Sequence, residues 1–172
     1  MENNATAVRL YSLGWREIRT YMFALLFIAG NIVLPQLCHM IPQGGLILLP
    51  IYFFTLIAAY KFGFKVGLLT AILSPLINSA LFGMPPVASL PIIMIKGVLL
   101  AGAAAWVANR SKGASLLALI AVVLGYQLVG GVIEWAMTGS LASALQDWKL
   151  GYPGIILQAV GGWLVLNYLW RK

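Results

Sequence analysis

The sequence predicts an all-α integral membrane protein with six transmembrane helices, both termini in the cytoplasm, and a short N-terminal interfacial helix. Three observations predict it. Of the 172 residues, 62% are hydrophobic and only 9% are charged, against about 25% charged in a typical soluble domain. The mean hydropathy is +0.94. Basic residues gather in alternate gaps between long apolar runs, the pattern that sets membrane orientation.

The elements follow in chain order. Residues 1–20 read as a cytoplasmic and interfacial segment, and 21–172 as a single six-helix membrane domain. In the first segment, Val8, Tyr11, Trp15, Ile18 and Met22 recur at three- and four-residue spacing, with Arg9, Arg16 and Arg19 off that stripe. Such a helix lies in the interface with its arginines on anionic headgroups. No short apolar core with a small-residue cleavage site is present, so no removable signal peptide is expected. Crossing a core about 30 Å thick takes about 20 mostly apolar residues. Six segments meet that need, at 21–39, 46–62, 64–82, 87–108, 115–138 and 150–170. Turn residues separate them: Pro42 to Gly45, the short Tyr60 to Phe64 stretch, Gly83 to Pro86, Ser111 to Gly113, and Gly151 to Gly154.

The loop charges orient the spans. Arg9, Arg16, Arg19, Lys61, Lys65, Arg110, Lys112, Arg171 and Lys172 fall on one side; the other has only Lys149, offset by Asp147. The positive-inside bias places the basic side in the cytoplasm of a multi-pass protein of the cell inner membrane. The same distribution argues against nucleic acid as a partner despite the net charge of +7. Nucleic-acid binders collect Lys and Arg on one face of a soluble domain; here the partner of the surface is the lipid bilayer.

Polar residues inside the spans point to function. An ionisable side chain at a helix centre costs about 2.5–3.5 kcal/mol on insertion scales. Lys96 in the fourth span lies roughly 13 Å deep and Glu134 in the fifth roughly 7 Å deep, counted at 1.5 Å per residue. Lys96 suits a ligand carboxylate or phosphate and Glu134 an amine or protonated ring nitrogen; alternatively, the two neutralise each other. Thr70, Ser74 and Asn78 share one face of the third span. Gln127, Gly130, Gly131 and Glu134 share a stripe of the fifth, and Gly154, Gln158 and Gly161 one of the sixth. Most of these residues fall in the outer half, so a polar cup opens outwards over an apolar floor. The alternative for each amide and hydroxyl is a hydrogen bond linking helices. Trp135, Trp148 and Tyr152 lie near the outer rim, where they stack on a ring or form an interfacial belt. The candidate substrate-binding residues are therefore Lys96, Glu134, Gln127, Gln158, Asn78 and Trp135.

No catalytic, metal or cofactor site is expected. The sequence lacks a GxxxxGK[ST] phosphate loop and an HExxH zinc motif. Asp147 is the sole aspartate, His39 has no evident nucleophile beside it, and Cys38 is the sole cysteine.

The stretch from Leu49 to Ala108 carries a family likeness. Lys61-Phe62-Gly63-Phe64-Lys65-Val66-Gly67, then Ser74-Pro75, then Gly83-Met84-Pro85-Pro86 resemble the substrate-binding S components of energy-coupling factor transporters. The resemblance covers about 60 residues, and the remainder agrees in span count and topology. It implies a subunit that captures a vitamin-like small molecule from outside. Such a subunit works with a transmembrane coupling protein and two cytoplasmic ATPases. The implied pocket lies in the outer half, between the last three spans and the loops joining spans 1–2, 3–4 and 5–6. The first span departs from the family. Its Ala-x-x-x-Ala pair is missing, since Ile28 stands four residues after Ala24; Thr20 with Ala24 is the nearest substitute. Two other readings are a ligand-free structural or assembly protein and a small intramembrane enzyme.

Overall fold

The computed structural model describes residues 10–111 and 113–169. Val8, Arg9, Lys112, Arg171, Lys172 and the end of the sixth expected span lie outside them. Among the described residues, all regular structure is helical. Helix α1 is Ile18–His39, α2 is Gly44–Leu48 and α3 is Phe53–Phe62, the last entered through a 3₁₀ turn at Pro50–Tyr52. Helix α4 is Phe64–Phe82. After a second 3₁₀ turn, Val87–Ser89, come α5, Leu90–Arg110, and α6, Leu116–Thr138. Short helices α7, Leu141–Ala144, and α8, Gln146–Lys149, lead into α9, Tyr152–Ile156. The chain continues helically through a π segment at Leu157–Gly161, α10 at Gly162–Leu164 and a second π segment at Val165–Leu169.

Among the described residues, four helices are long and apolar enough to cross a membrane: Ile18–His39, Phe64–Phe82, Val87–Arg110 and Leu116–Thr138. Their outer faces carry exposed Leu25, Val33, Leu81, Leu117, Leu128 and Val132, which suit hydrocarbon rather than water.

Helix α3 is the centre of the bundle. Leu56, Ile57, Ala58, Ala59 and Tyr60 are at most 1% exposed, so the helix is enclosed on every side, as a helix that is apolar nearly all round should be. It packs on α1, α4 and α5. Only Gly63, at φ +94°, separates α3 from α4, a reversal that a residue with a Cβ adopts poorly. One turn later, a Cβ on Gly67 would lie 2.4 Å from that of Ala59, so the two helices leave the turn nearly touching.

The second expected span, 46–62, is not one helix. Leu49 takes a left-handed conformation at φ 46° and Pro50 follows it. Proline has no N–H to continue the ladder, and its ring disfavours helical geometry in the residue before it. The chain therefore breaks into α2 and α3.

The expected N-terminal interfacial helix is also corrected: Leu10 to Glu17 are not helical. The Tyr11 N–H donates to the Lys61 carbonyl at 2.8 Å, and the Leu13 N–H to the Phe62 carbonyl at 3.2 Å. These carbonyls end α3, where a helix has no partners of its own for them. Capping that buried end outweighs forming a surface helix. Phe62 then stacks on Tyr11 and Phe23, and Leu13 is buried.

Thr20 and Ala24 face inward. Both are buried, and the Thr20 hydroxyl donates to the Gly14 carbonyl at 2.6 Å. The nearest substitute for the missing Ala-x-x-x-Ala pair therefore lies inside the bundle rather than on its outer surface.

Candidate functional site

The two ends of the bundle differ in chemistry. Lys61, Lys65 and Arg110 lie at the end where α3 and α5 finish and α4 begins. Here Arg110 sits 4.5 Å over the Trp106 ring and Lys65 5.7 Å over that of Trp15. The Tyr60 hydroxyl and the Asn167 amide tie this end together by donating to the carbonyls of Gly113 and Ala114. The opposite end, where α1, α4 and α6 finish, holds a cavity of about 520 Å³.

The cavity is organised around Lys96. This residue sits in the first half of α5, and its ammonium donates to Glu134 Oε2 of α6 at 2.5 Å and to Asp147 Oδ2 of α8 at 2.8 Å. Side-chain exposures of 4% for Lys96, 13% for Glu134 and 17% for Asp147 separate this cluster from an ordinary surface pair, which contributes little. Local structure explains the meeting. Gly130 lies one turn before Glu134, and a Cβ there would come within 2.6 Å of Lys96 Cγ. The missing side chain opens the channel along which Lys96 crosses α6.

Asp147 arrives by a turn at the end of α6. Gly139, at φ +67°, stops that helix. The Ser140 hydroxyl then accepts from the Ser143 N–H at 3.2 Å and starts α7. Two hydrogen bonds brace the turn: the Thr138 hydroxyl donates to the Glu134 carbonyl, and the Ser140 N–H donates to the Thr138 oxygen. This folds α7 and α8 back over the cavity, so a residue distant in sequence lies against Lys96.

The opposite wall comes from the segment between α1 and α3. Gln43 and Leu49 are the described non-glycine residues with positive φ, at 58° and 46°, and both line the cavity. Left-handed geometry costs a non-glycine residue about 1–3 kcal/mol and persists only where surrounding structure enforces it. The enforcing contact is visible. A Cβ on Gly154 would stand 2.4 Å from the Leu48 carbonyl group, and one on Gly151 2.8 Å from Leu49 Cδ1. Helix α9 thus presses directly on the backbone of α2. Tyr52 also lines the cavity; it is 4% exposed, and its hydroxyl makes no hydrogen bond to a described residue.

The six sequence-derived candidates divide evenly. Lys96, Glu134 and Asn78 line the cavity. Gln127, Gln158 and Trp135 do not. Gln127 lies two turns before Glu134, below the cavity, where its amide donates to the Tyr126 hydroxyl at 3.1 Å. That hydroxyl donates in turn to Gln158 Oε1 at 2.8 Å. Tyr126 packs 5.5 Å from Tyr52, so this buried cluster adjoins the floor. Trp135 is one residue beyond Glu134, about 100° around the helix, and is 51% exposed on the outer surface. Tyr152 is likewise exposed.

Asn78 has a double role. Its amide donates to the Asn31 carbonyl at 2.8 Å and the Ser74 carbonyl at 3.1 Å. Asn31 in turn donates to Thr55 and Ser74 and accepts from the Phe54 N–H. The polar face of the third expected span therefore chiefly joins α1, α3 and α4.

Sequence reasoning missed Asp147, which it treated only as a loop charge offsetting Lys149. The available signal was charge balance: a deeply placed lysine needs an anionic partner, and the chain has only four acids.

No protein-family model matches the chain, and neither a curated protein nor a solved structure matches it.

The cavity offers an ion cluster, a free phenol and a largely aliphatic wall that includes Pro35, Pro50, Ile92 and Ile93. Among the described residues, no three His, Cys, Asp or Glu side chains are grouped to hold a metal ion. A small molecule with one polar and one apolar part would complement such a lining.

Proposed function

We propose that the chain is the solute-binding subunit of a membrane transporter, capturing a small, water-soluble, vitamin-like molecule from outside the cell. The observation that carries this reading is the cavity of about 520 Å³ that holds the Lys96–Glu134–Asp147 ion cluster at one end of the bundle. Small-molecule sites typically enclose about 300–1,000 Å³ and combine apolar walls with a few fixed polar groups. In this reading six segments cross the membrane. Pro50–Phe62 serves as the second, buried span and the helical run Tyr152–Leu169 as the sixth; at 1.5 Å per residue the latter reaches roughly 27 Å. Both termini are cytoplasmic, the basic end faces inward, and the cavity faces outward.

The rest of the proposal comes from the resemblance of residues 49–108 to the S components of energy-coupling factor transporters. ATP-driven uptake then depends on a transmembrane coupling protein and two cytoplasmic ATPases, in the cell inner membrane. The test is native mass spectrometry of protein purified without added ligand. A retained non-lipid small molecule supports the proposal.

The Asn31–Thr55–Ser74–Asn78 hydrogen bonds favour a second reading, a ligand-free assembly protein whose polar residues only hold helices together. Consistent recovery of the bare chain, with no solute binding in titrations, supports that alternative and overturns the first.

A further inference from the structure

The charge balance of the cavity narrows the ligand class, an inference that rests on the solute-binding reading above. Lys96 contributes one positive charge and Glu134 and Asp147 two negative ones, and with His39, which also lines the cavity, counted neutral, the formal charge is −1. Two of the three ammonium hydrogens of Lys96 are already directed at Glu134 Oε2 and Asp147 Oδ2. The other carboxylate oxygens, Glu134 Oε1 and Asp147 Oδ1, receive no hydrogen bond from a described residue. Both acids line the cavity. Tyr52 adds an independent sign of a ligand. It is 4% exposed, lines the same space, and its hydroxyl has no partner among the described residues. That hydroxyl is left to the cavity, where a polar group of a ligand can meet it.

We propose that the cavity selects a compact organic cation, an amine or protonated nitrogen heterocycle, on an apolar ring or short chain. The charged nitrogen binds at the carboxylates of Glu134 and Asp147, and Tyr52 supplies its hydroxyl or ring face. Pro35, Pro50, Ile92 and Ile93 hold the apolar part. Lys96 keeps the two carboxylates apart and oriented, and is a positioning residue. An anionic ligand meets a cavity of its own sign and must displace a carboxylate to reach the lysine.

The experiment is a titration of the purified full-length protein in detergent by calorimetry. A charge-sorted panel serves as the probe: thiamin, pyridoxamine and choline as cations; pyridoxine and riboflavin as neutral compounds; nicotinate, biotin and pantothenate as anions. Saturable binding of a cation, with the anions silent, is the expected result. Asp147→Asn should weaken that binding about 30-fold or more, the loss that follows removal of one partner from a buried charged pair. Tyr52→Phe should weaken it less. If Asp147→Asn does not fold, the charge preference of the parent protein still decides. Binding confined to anions or neutral compounds overturns the proposal while leaving a solute-binding role. If no panel member binds, the compound retained in native mass spectrometry decides: a cation supports the proposal, and an anion or neutral compound overturns it. Absence of any retained compound, with the panel silent, overturns both this inference and the solute-binding reading.

Discussion

Lys96 shows how one side chain can be conspicuous in a sequence while two roles compete for it, ligand contact and internal ion pair. Its depth in an apolar span marks it as needing a partner, and an anionic ligand is one candidate. The fold supplies two anions of its own, and the expectation for substitution changes accordingly. Lys96→Met removes the shared cation and leaves Glu134 and Asp147 facing each other in a low-dielectric setting. Removing one partner from a buried ion pair costs about 3–5 kcal/mol, so this variant should melt well below the parent. Adding Glu134→Gln and Asp147→Asn removes the stranded charges and should recover most of the loss. Thermal unfolding of the single and triple variants in the same detergent measures this. A single variant as stable as the parent shows that the cluster contributes nothing to the fold. Trp135 carries the converse lesson. It sits beside Glu134 in sequence, yet one helical step turns it to the exterior, so proximity along the chain did not place it in the site.

The long helices were legible because a hydropathy pattern reports what it takes to sit in hydrocarbon. Ile18–His39, Phe64–Phe82, Val87–Arg110 and Leu116–Thr138 lie close to the segments read from sequence. The departures all depend on contacts between distant parts of the chain. Residues 10–17 have a helical spacing of apolar groups, but the N–H groups of Tyr11 and Leu13 cap α3. Residues 46–62 are apolar nearly throughout, but α9 pressing on Leu48 accompanies a left-handed turn at Leu49. Asp147 reads as a loop charge until α7 and α8 fold back. These close approaches can be tested through glycines. Gly67→Ala drives a Cβ to 2.4 Å from that of Ala59, and Gly154→Ala drives one equally close to the Leu48 backbone. Neither obstacle is a flexible side-chain end, so each should destabilise by about 3 kcal/mol, the upper end of ordinary overpacking. Gly125 of α6 is different, because a Cβ there would have no neighbour within 4 Å. Gly125→Ala should instead stabilise by about 0.5–1 kcal/mol, as alanine does inside a helix. Chemical or thermal unfolding of the three variants checks both signs, and equal effects at all three positions contradict the packing account.

For the molecule as a whole, the separation of a basic end from a cavity end makes orientation the most consequential property. The proposed role requires the cavity to face outward, with energy supplied by partners. Proteoliposomes containing this chain alone should therefore bind solute without ATP-driven accumulation; concentrative, ATP-dependent uptake by the lone chain contradicts that division of labour. Orientation has its own test, with reporter positions chosen by exposure. Lys61 is unsuitable because it is 4% exposed, and Asp147 because it holds Lys96. Asn109 and Ala88 are exposed at the basic end and the cavity end respectively, and replacing Asn109 leaves Arg110 to exert its topological effect. In a Cys38→Ser background, Ala88→Cys should react with a membrane-impermeant maleimide added to intact cells. Asn109→Cys should react only after permeabilisation. The reverse pattern inverts the molecule in the membrane and makes the cavity cytoplasmic, which removes outward capture as a function whatever the cavity binds.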